Sequence, residues 1–195
     1  MGTTKLIDTQ NKVTMALVEE KYRNLVNALY HNNLQEFKEE LNKSDIHPRW
    51  CIYSKTNDSL VHVIVQNGRL DFLQMVLHQF PNDIKELLQC KNADGKTPLH
   101  VGAQFAQPKI ISILLENDVE IDPIKKADWT PLMLACTKSG DDALQSIDLL
   151  VSSGANLNLQ NKVVCIYMNS ISKLLLMHST LQLHTLACLI VAHGL

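Results

Sequence analysis

Residues 125–137 read KKADWTPLMLACT, and residues 96–100 read KTPLH, so that two Thr-Pro pairs stand 33 residues apart. Near-copies at a fixed interval make an internal repeat the first question to settle. Thr97-Pro98-Leu99-His100 runs on through Val101-Gly102-Ala103 to KIISILLEND at 109–118. Thr130-Pro131-Leu132-Met133 runs on through Leu134-Ala135-Cys136 to LQSIDLLVSSGANLN at 144–158. A degenerate third copy, Ser59-Leu60-Val61-His62 followed by NGRLDFLQMVLHQ at 67–79, begins 38 residues before Thr97.

Each copy has the same mechanics. Thr97, Thr130 or Ser59 is placed to cap a helix, its hydroxyl accepting from an orphan backbone N–H. Pro98 and Pro131 fall at the first helical position, where a missing donor does no harm. A short helix, a turn and a second helix follow, the last with apolar residues three and four apart: Ile110, Ile111, Ile113, Leu114 and Leu115. The unit closes on a residue that tolerates positive φ, Gly154 in one copy and Asn117 or Asp118 in the other. Gly95 serves the tight turn before Thr97, and Asp128 holds the matching place before Thr130, because aspartate enters left-handed space at modest cost. A helix pair of this size cannot bury its apolar face alone, so the units are expected to stack.

These residues resemble the ankyrin repeat family: Thr-Pro-Leu-His, then Ala, a Leu-Leu pair and GANLN, over roughly 57–160. The resemblance implies an all-α solenoid of stacked helix-turn-helix units. Residues 1–20 read as an N-terminal arm and 21–50 as a capping helix pair split at His31-Asn32-Asn33. Residues 57–90 are a degenerate repeat, 91–123 and 124–160 are repeats, and 161–195 is an atypical apolar tail. PNDIKELLQ at 81–89 reads as an inserted helical turn. SGDDA at 139–143 is expected to widen the loop inside the third unit. In the family, the histidine position held by His62 and His100 ties one unit's finger to the next. Thr97, Pro98, His100, Thr130, Pro131 and His62 are therefore structural candidates.

The function implied is a non-enzymatic protein-binding surface, with Trp129, Lys125, Lys126, Thr130 and Met133 along one edge. Trp129 has two readings: cover for the neighbouring finger, or an interface anchor of the kind tryptophan often provides. A narrower resemblance, good over about 119–162, is to ankyrin-repeat cofactors of alanyl-tRNA synthetase, which hold more repeats than this chain. It implies lysines that accept misactivated serine, and by position these are Lys126 and Lys162. A lysine amine with pKa about 10.4 is almost wholly protonated at pH 7, so capture needs proximity or a lowered pKa. Lys125 beside Lys126 is expected to supply some lowering by like-charge repulsion. Solvated surface lysines are the plain alternative.

Composition supports this class and excludes others. Net charge is −2 with both signs mixed, which gives no basic field for nucleic acid. Aromatic residues make up 5% of the chain, a balance that suits a helical core packed by aliphatic side chains. The cysteines at 51, 90, 136, 165 and 188 form no Cys-x-x-Cys pair, and MGTTKLIDTQNKV has no apolar signal core. A reducing compartment is expected, the cytoplasm first and the nucleus second. His184 and Cys188 are four apart, but two ligands do not make a zinc site, and no phosphate loop, catalytic triad or cofactor motif appears.

After Lys162 the pattern breaks. VVCIYMNSISKLLLMHSTLQLHTLACLIVAHGL contains no Asp or Glu and only one lysine, Lys173. A divergent terminal helix could pack Leu174, Leu175, Leu181, Leu186 and Ile190 on the last repeat. A membrane segment is disfavoured by His178, Gln182 and His184. The third reading, favoured because the array ends mid-repeat without a polar outer cap, is non-native coding sequence read through a splice donor. Helix is expected over 171–192 in any case, since leucine-rich sequence favours it.

Overall fold

A computed structural model of the chain describes residues 22–43, 51–53, 56–159 and 161. The expected arm at 1–20, Lys162, the helix expected over 171–192 and the tail as a whole lie outside the described residues.

The first helix, α1, runs through residues 22–30, and α2 spans Leu34–Lys43. Asn32 joins them at φ 55, and Asn33 Oδ1 takes the Glu36 amide at 3.1 Å, so the split at 31–33 is a left-handed turn followed by a cap. Two short strands follow, β1 at Cys51–Tyr53 and β2 at Asp58–Ser59, paired antiparallel. The repeat reading did not anticipate this ribbon. It is the first of a series of projecting fingers.

Then come the helix pairs: α3 (Leu60–Gln66) with α4 (Leu70–Gln79), α6 (Pro98–Gln104) with α7 (Pro108–Glu116), and α8 (Pro131–Ala135) with α9 (Asp141–Ser152). The inserted segment 81–89 forms helix α5 at Ile84–Gln89, beginning three residues after Pro81. Ser59, Thr97 and Thr130 accept from the amides of His62, His100 and Met133. Pro98 and Pro131 open their helices. The loop between α8 and α9 is 136–140, longer than 105–107 in the unit before it.

Stacking is direct. Helix α6 packs between α3 and α8, and α7 packs on α9. One apolar cluster runs from Tyr22 through Leu60, Leu73, Leu99, Ile111, Leu134 and Ile147 to Ala155. Phe37 of α2 meets Phe72 of α4 edge to face, 4.9 Å between ring centres. Gly102 leaves room for its neighbours: a Cβ there would lie 3.3 Å from Ile111 Cγ1 and 3.6 Å from Val65 Cγ1. The molecule is thus an all-α solenoid with small hairpin fingers along one edge.

Candidate functional site

The fingers are built from the cap residues outward. In the second unit Thr97 N donates to His100 Nδ1 at 3.1 Å while the Thr97 hydroxyl lies 3.0 Å from the same nitrogen. An Nδ1 that accepts carries no proton, so Nε2 holds it and donates to Trp129 O at 3.1 Å in the next finger. The first unit repeats the arrangement: Ser59 N donates to His62 Nδ1 at 3.3 Å, and His62 Nε2 donates to Lys96 O at 2.9 Å. Both imidazoles are buried. Burial lowers the pKa of each, and His100 falls to about 4, with Lys125, Lys91 and Lys96 adding repulsion against the charged form. These histidines are neutral ties between neighbours. In the third unit Met133 stands in their place, and Asn161 Nδ2 donates to its sulfur at 3.6 Å, a weaker kind of link.

The turns that project are nearly superposable in logic. Asn57, Gly95 and Asp128 hold equivalent left-handed positions, with φ of 55, 75 and 60. The third finger adds Ala127 at φ 65. Its predecessor needs no such residue because Asn92 Oδ1 takes the amides of Asp94 and Lys96 and braces the loop from within. Lys125 occupies the place of Asn92 and offers no acceptor. Successive fingers are also joined by backbone: Ala93 N donates to Thr56 O, and Lys126 N to Asp94 O.

The edge residues are placed as follows. Lys126 is 70% exposed and pairs with Asp94, Nζ to Oδ1 3.3 Å. Lys125 Nζ sits 5.7 Å above the Trp129 ring. Trp129 is half-buried, its ring packed on the core and its carbonyl held by His100. Thr130 is buried in its capping role, and Met133 is half-buried. Lys125 has a lowered pKa, but burial is the first cause and Lys96 the second, with Asp94 opposing. The expectation that Lys126 would repel it is thereby corrected: the Lys126 amine turns to Asp94. Lys91, Lys96 and Asp94 escaped the sequence reading. The 33-residue offset does set Lys96 in register with Trp129, but not which side chains of successive fingers come together.

Beside the first finger, Cys90 Sγ lies 3.3 Å from Ser59 Oγ and 3.8 Å from His62 Nδ1. This trio is no nucleophilic site. His62 Nδ1 is already engaged by Ser59, the thiol donates to Leu87 O at 3.0 Å, and burial pushes its pKa up. Among the described residues no helix is long and apolar enough to cross a membrane, and no group of three metal-ligating side chains comes together.

Comparison with known proteins matches the family model "Ankyrin repeats (3 copies)" at residues 14–123 and 61–161. The chain is 28% identical over 101 residues to transient receptor potential cation channel subfamily A member 1 of Drosophila melanogaster, covering 52% of this chain and 8% of that protein. It is 31% identical over 90 residues to phosphate system positive regulatory protein PHO81 of Saccharomyces cerevisiae, covering 45% and 8%. It is 26% identical over 107 residues to ankyrin repeat-containing protein At5g02620 of Arabidopsis thaliana, covering 54% and 20%. The chain therefore spans a small part of the length of each of these relatives.

Proposed function

Since the chain belongs to the ankyrin repeat family, a general protein-interaction module, we propose that it is a non-enzymatic binding platform whose partner lies along the finger edge. One observation carries the reading: within each finger the buried side chains tie neighbouring units together, while the exposed tips, joined to one another by backbone bonds and the Lys126–Asp94 pair, leave their outer faces to solvent. Thr97, His100 and Thr130 are buried and mutually satisfied. Asp94, Lys126, Ala127 and Asp128 project into solvent at the tips, held by turns of defined shape. Rigid presentation lowers the ordering cost of association. The cytoplasm or nucleus is the proposed setting. A photo-crosslinking side chain at position 128, at a fingertip, is expected to trap a discrete protein in cells, whereas one at exposed position 148 on α9 is not. Equal trapping at both positions, or none at 128, rejects the finger edge as the interface.

A second reading follows from the narrower resemblance, which is to ankyrin repeat domain-containing protein 16. In it, the chain assists alanyl-tRNA synthetase by accepting misactivated serine on lysine. The exposure of Lys126 favours it. The amine would have to leave Asp94 and lose a proton, attack the seryl adenylate carbonyl, and form an amide as AMP departs. Lys162, the other candidate, lies outside the described residues. Incubation with the synthetase, ATP and serine, followed by peptide mass spectrometry, is expected to find a seryl adduct on Lys126 that Lys126→Arg abolishes. A chain free of adducts leaves the platform reading alone.

A further inference from the structure

Charge is sorted across this molecule in a way its net value of −2 conceals. The exposed positions on and beside α7 and α9 carry Glu116, Asp118, Glu120, Asp141, Asp142 and Asp148, against Lys109 and Lys138. The fingers carry the opposite sign. Lys91, Lys96, Lys125 and Lys126 come from two fingers, and stacking gathers them around the Thr97–His100 tie. Lys91, Lys96 and Lys125 are near enough for their charges to act on His100, and Lys96 is near enough to act on Lys125.

Among the described residues, one of the four has a carboxylate in hydrogen-bonding range. Lys126 pairs with Asp94. Lys96 Nζ donates to the neutral amide of Gln104 at 2.9 Å, and Lys125 Nζ sits over the Trp129 ring with a backbone carbonyl 3.5 Å away. Asp58, the acid of the first finger, is half-buried and already accepts from Asn92 at 2.7 Å. Three ammonium groups thus stand clustered beside a half-exposed indole with no ion pair of their own among the described residues, Asp94 acting on Lys125 only from a distance. Ile124, which precedes Lys125 in the same finger, is 52% exposed.

We propose that the finger edge takes an acidic peptide segment of a protein partner, its carboxylates on Lys91, Lys96 and Lys125 and an apolar side chain against Trp129 and Ile124. This rests on the platform reading and names the chemistry of its partner. A protein segment fits better than a nucleic acid because Asp94 and Asp128 interrupt the lysines at the fingertips. A continuous phosphate backbone would meet both, while spaced carboxylates need not. The excess of carboxylates on and beside α7 and α9 would repel an acidic partner there and favour its approach to the lysines of the fingers.

The test uses the full chain and a fluorescent peptide of glutamates with a leucine at every fourth position, followed by anisotropy. Binding is expected to weaken steeply as salt rises from about 50 to 300 mM. Lys91→Glu/Lys125→Glu is expected to lower affinity about tenfold or more, with an unchanged melting temperature. Lys109→Glu, an exposed charge change on α7, is expected to leave it within about twofold. A glutamine-for-glutamate peptide should not bind. Equal loss in Lys109→Glu, or binding indifferent to both salt and charge reversal, overturns the proposal. Tighter binding of an oligothymidylate than of the acidic peptide overturns it in favour of nucleic acid. If crosslinking at position 128 persists in the charge-reversed chain, the platform stands and only its acidic partner is lost.

Discussion

His100 is fully buried and keeps its ring neutral to serve two neighbours, the Thr97 amide and the Trp129 carbonyl. Its pKa of about 4 in the fold lies below the 6.5 of an unfolded histidine. The unfolded chain therefore takes the proton first. The stabilisation is fully present above about pH 6.5, declines as pH falls, and is lost by about pH 4, a span worth about 3 kcal/mol. His62 is shifted in the same direction and steepens the decline. Urea midpoints are expected to fall between pH 7 and 4.5, and less steeply in His100→Gln, which starts lower at pH 7 because two buried hydrogen bonds are disturbed. Equal slopes in the two chains would remove His100 as the titrating tie. The role of His100 is implied by the family resemblance, which ties this histidine to the neighbouring finger; which carbonyl accepts, that of Trp129, shows only in the fold.

At the scale of the element, the fingers show where local sequence suffices and where it stops. Ser59, Thr97 and Thr130 cap their helices as their residue types and positions suggest, because capping involves atoms within one turn. Thr130→Ala is expected to cost about 1 kcal/mol in thermal or urea unfolding. The strand at Cys51–Tyr53 was harder to read: Ile52 and Tyr53 favour a strand, but three residues are too few for a pattern, and pairing with β2 completes it. The third finger was half legible. Asp128 was placed in the left-handed region from its match to Gly95, but Ala127 joins it there at φ 65 because Lys125 cannot brace the loop as Asn92 does. Alanine is strained in that region by about 1–2 kcal/mol. Ala127→Gly is expected to stabilise the chain by about 0.5–1 kcal/mol, the strain relieved being partly offset by the extra freedom of glycine when unfolded. Gly95→Ala is expected to do the opposite, since its Cβ would stand in left-handed space 3.4 Å from Lys125 Cα. A melting-temperature change of the same sign in both variants would contradict this account of the turn.

Across the whole molecule, stability is a chain of neighbouring interfaces, and the lysine cluster is one product of it. Lys91, Lys96 and Lys125 are scattered in sequence, and only stacking at a fixed offset collects them, which is why periodicity revealed the fold and not the charged edge. The same architecture dictates how damage spreads. Helix α6 is packed on both sides, by α3 and α8, whereas α9 is packed by α7 and α8 and, more lightly, by α6. Leu99, on α6, is 1% exposed, and Ile147, on α9, is 3% exposed. Truncating either to alanine is expected to cost about 2–5 kcal/mol, so size alone does not separate them. Position does. Leu99→Ala opens a gap in the helix against which both neighbours pack, and amide hydrogen exchange is expected to quicken in α3 and α8 alike. Ile147→Ala should quicken exchange through α8 and α9 while α3 and α4 keep most of their protection, because nearest-neighbour coupling fades with distance along the array. Uniform loss of protection in both variants would mean that the units fold as one indivisible core. The fingers would then be fixed by a global transition and not by the ties between successive units.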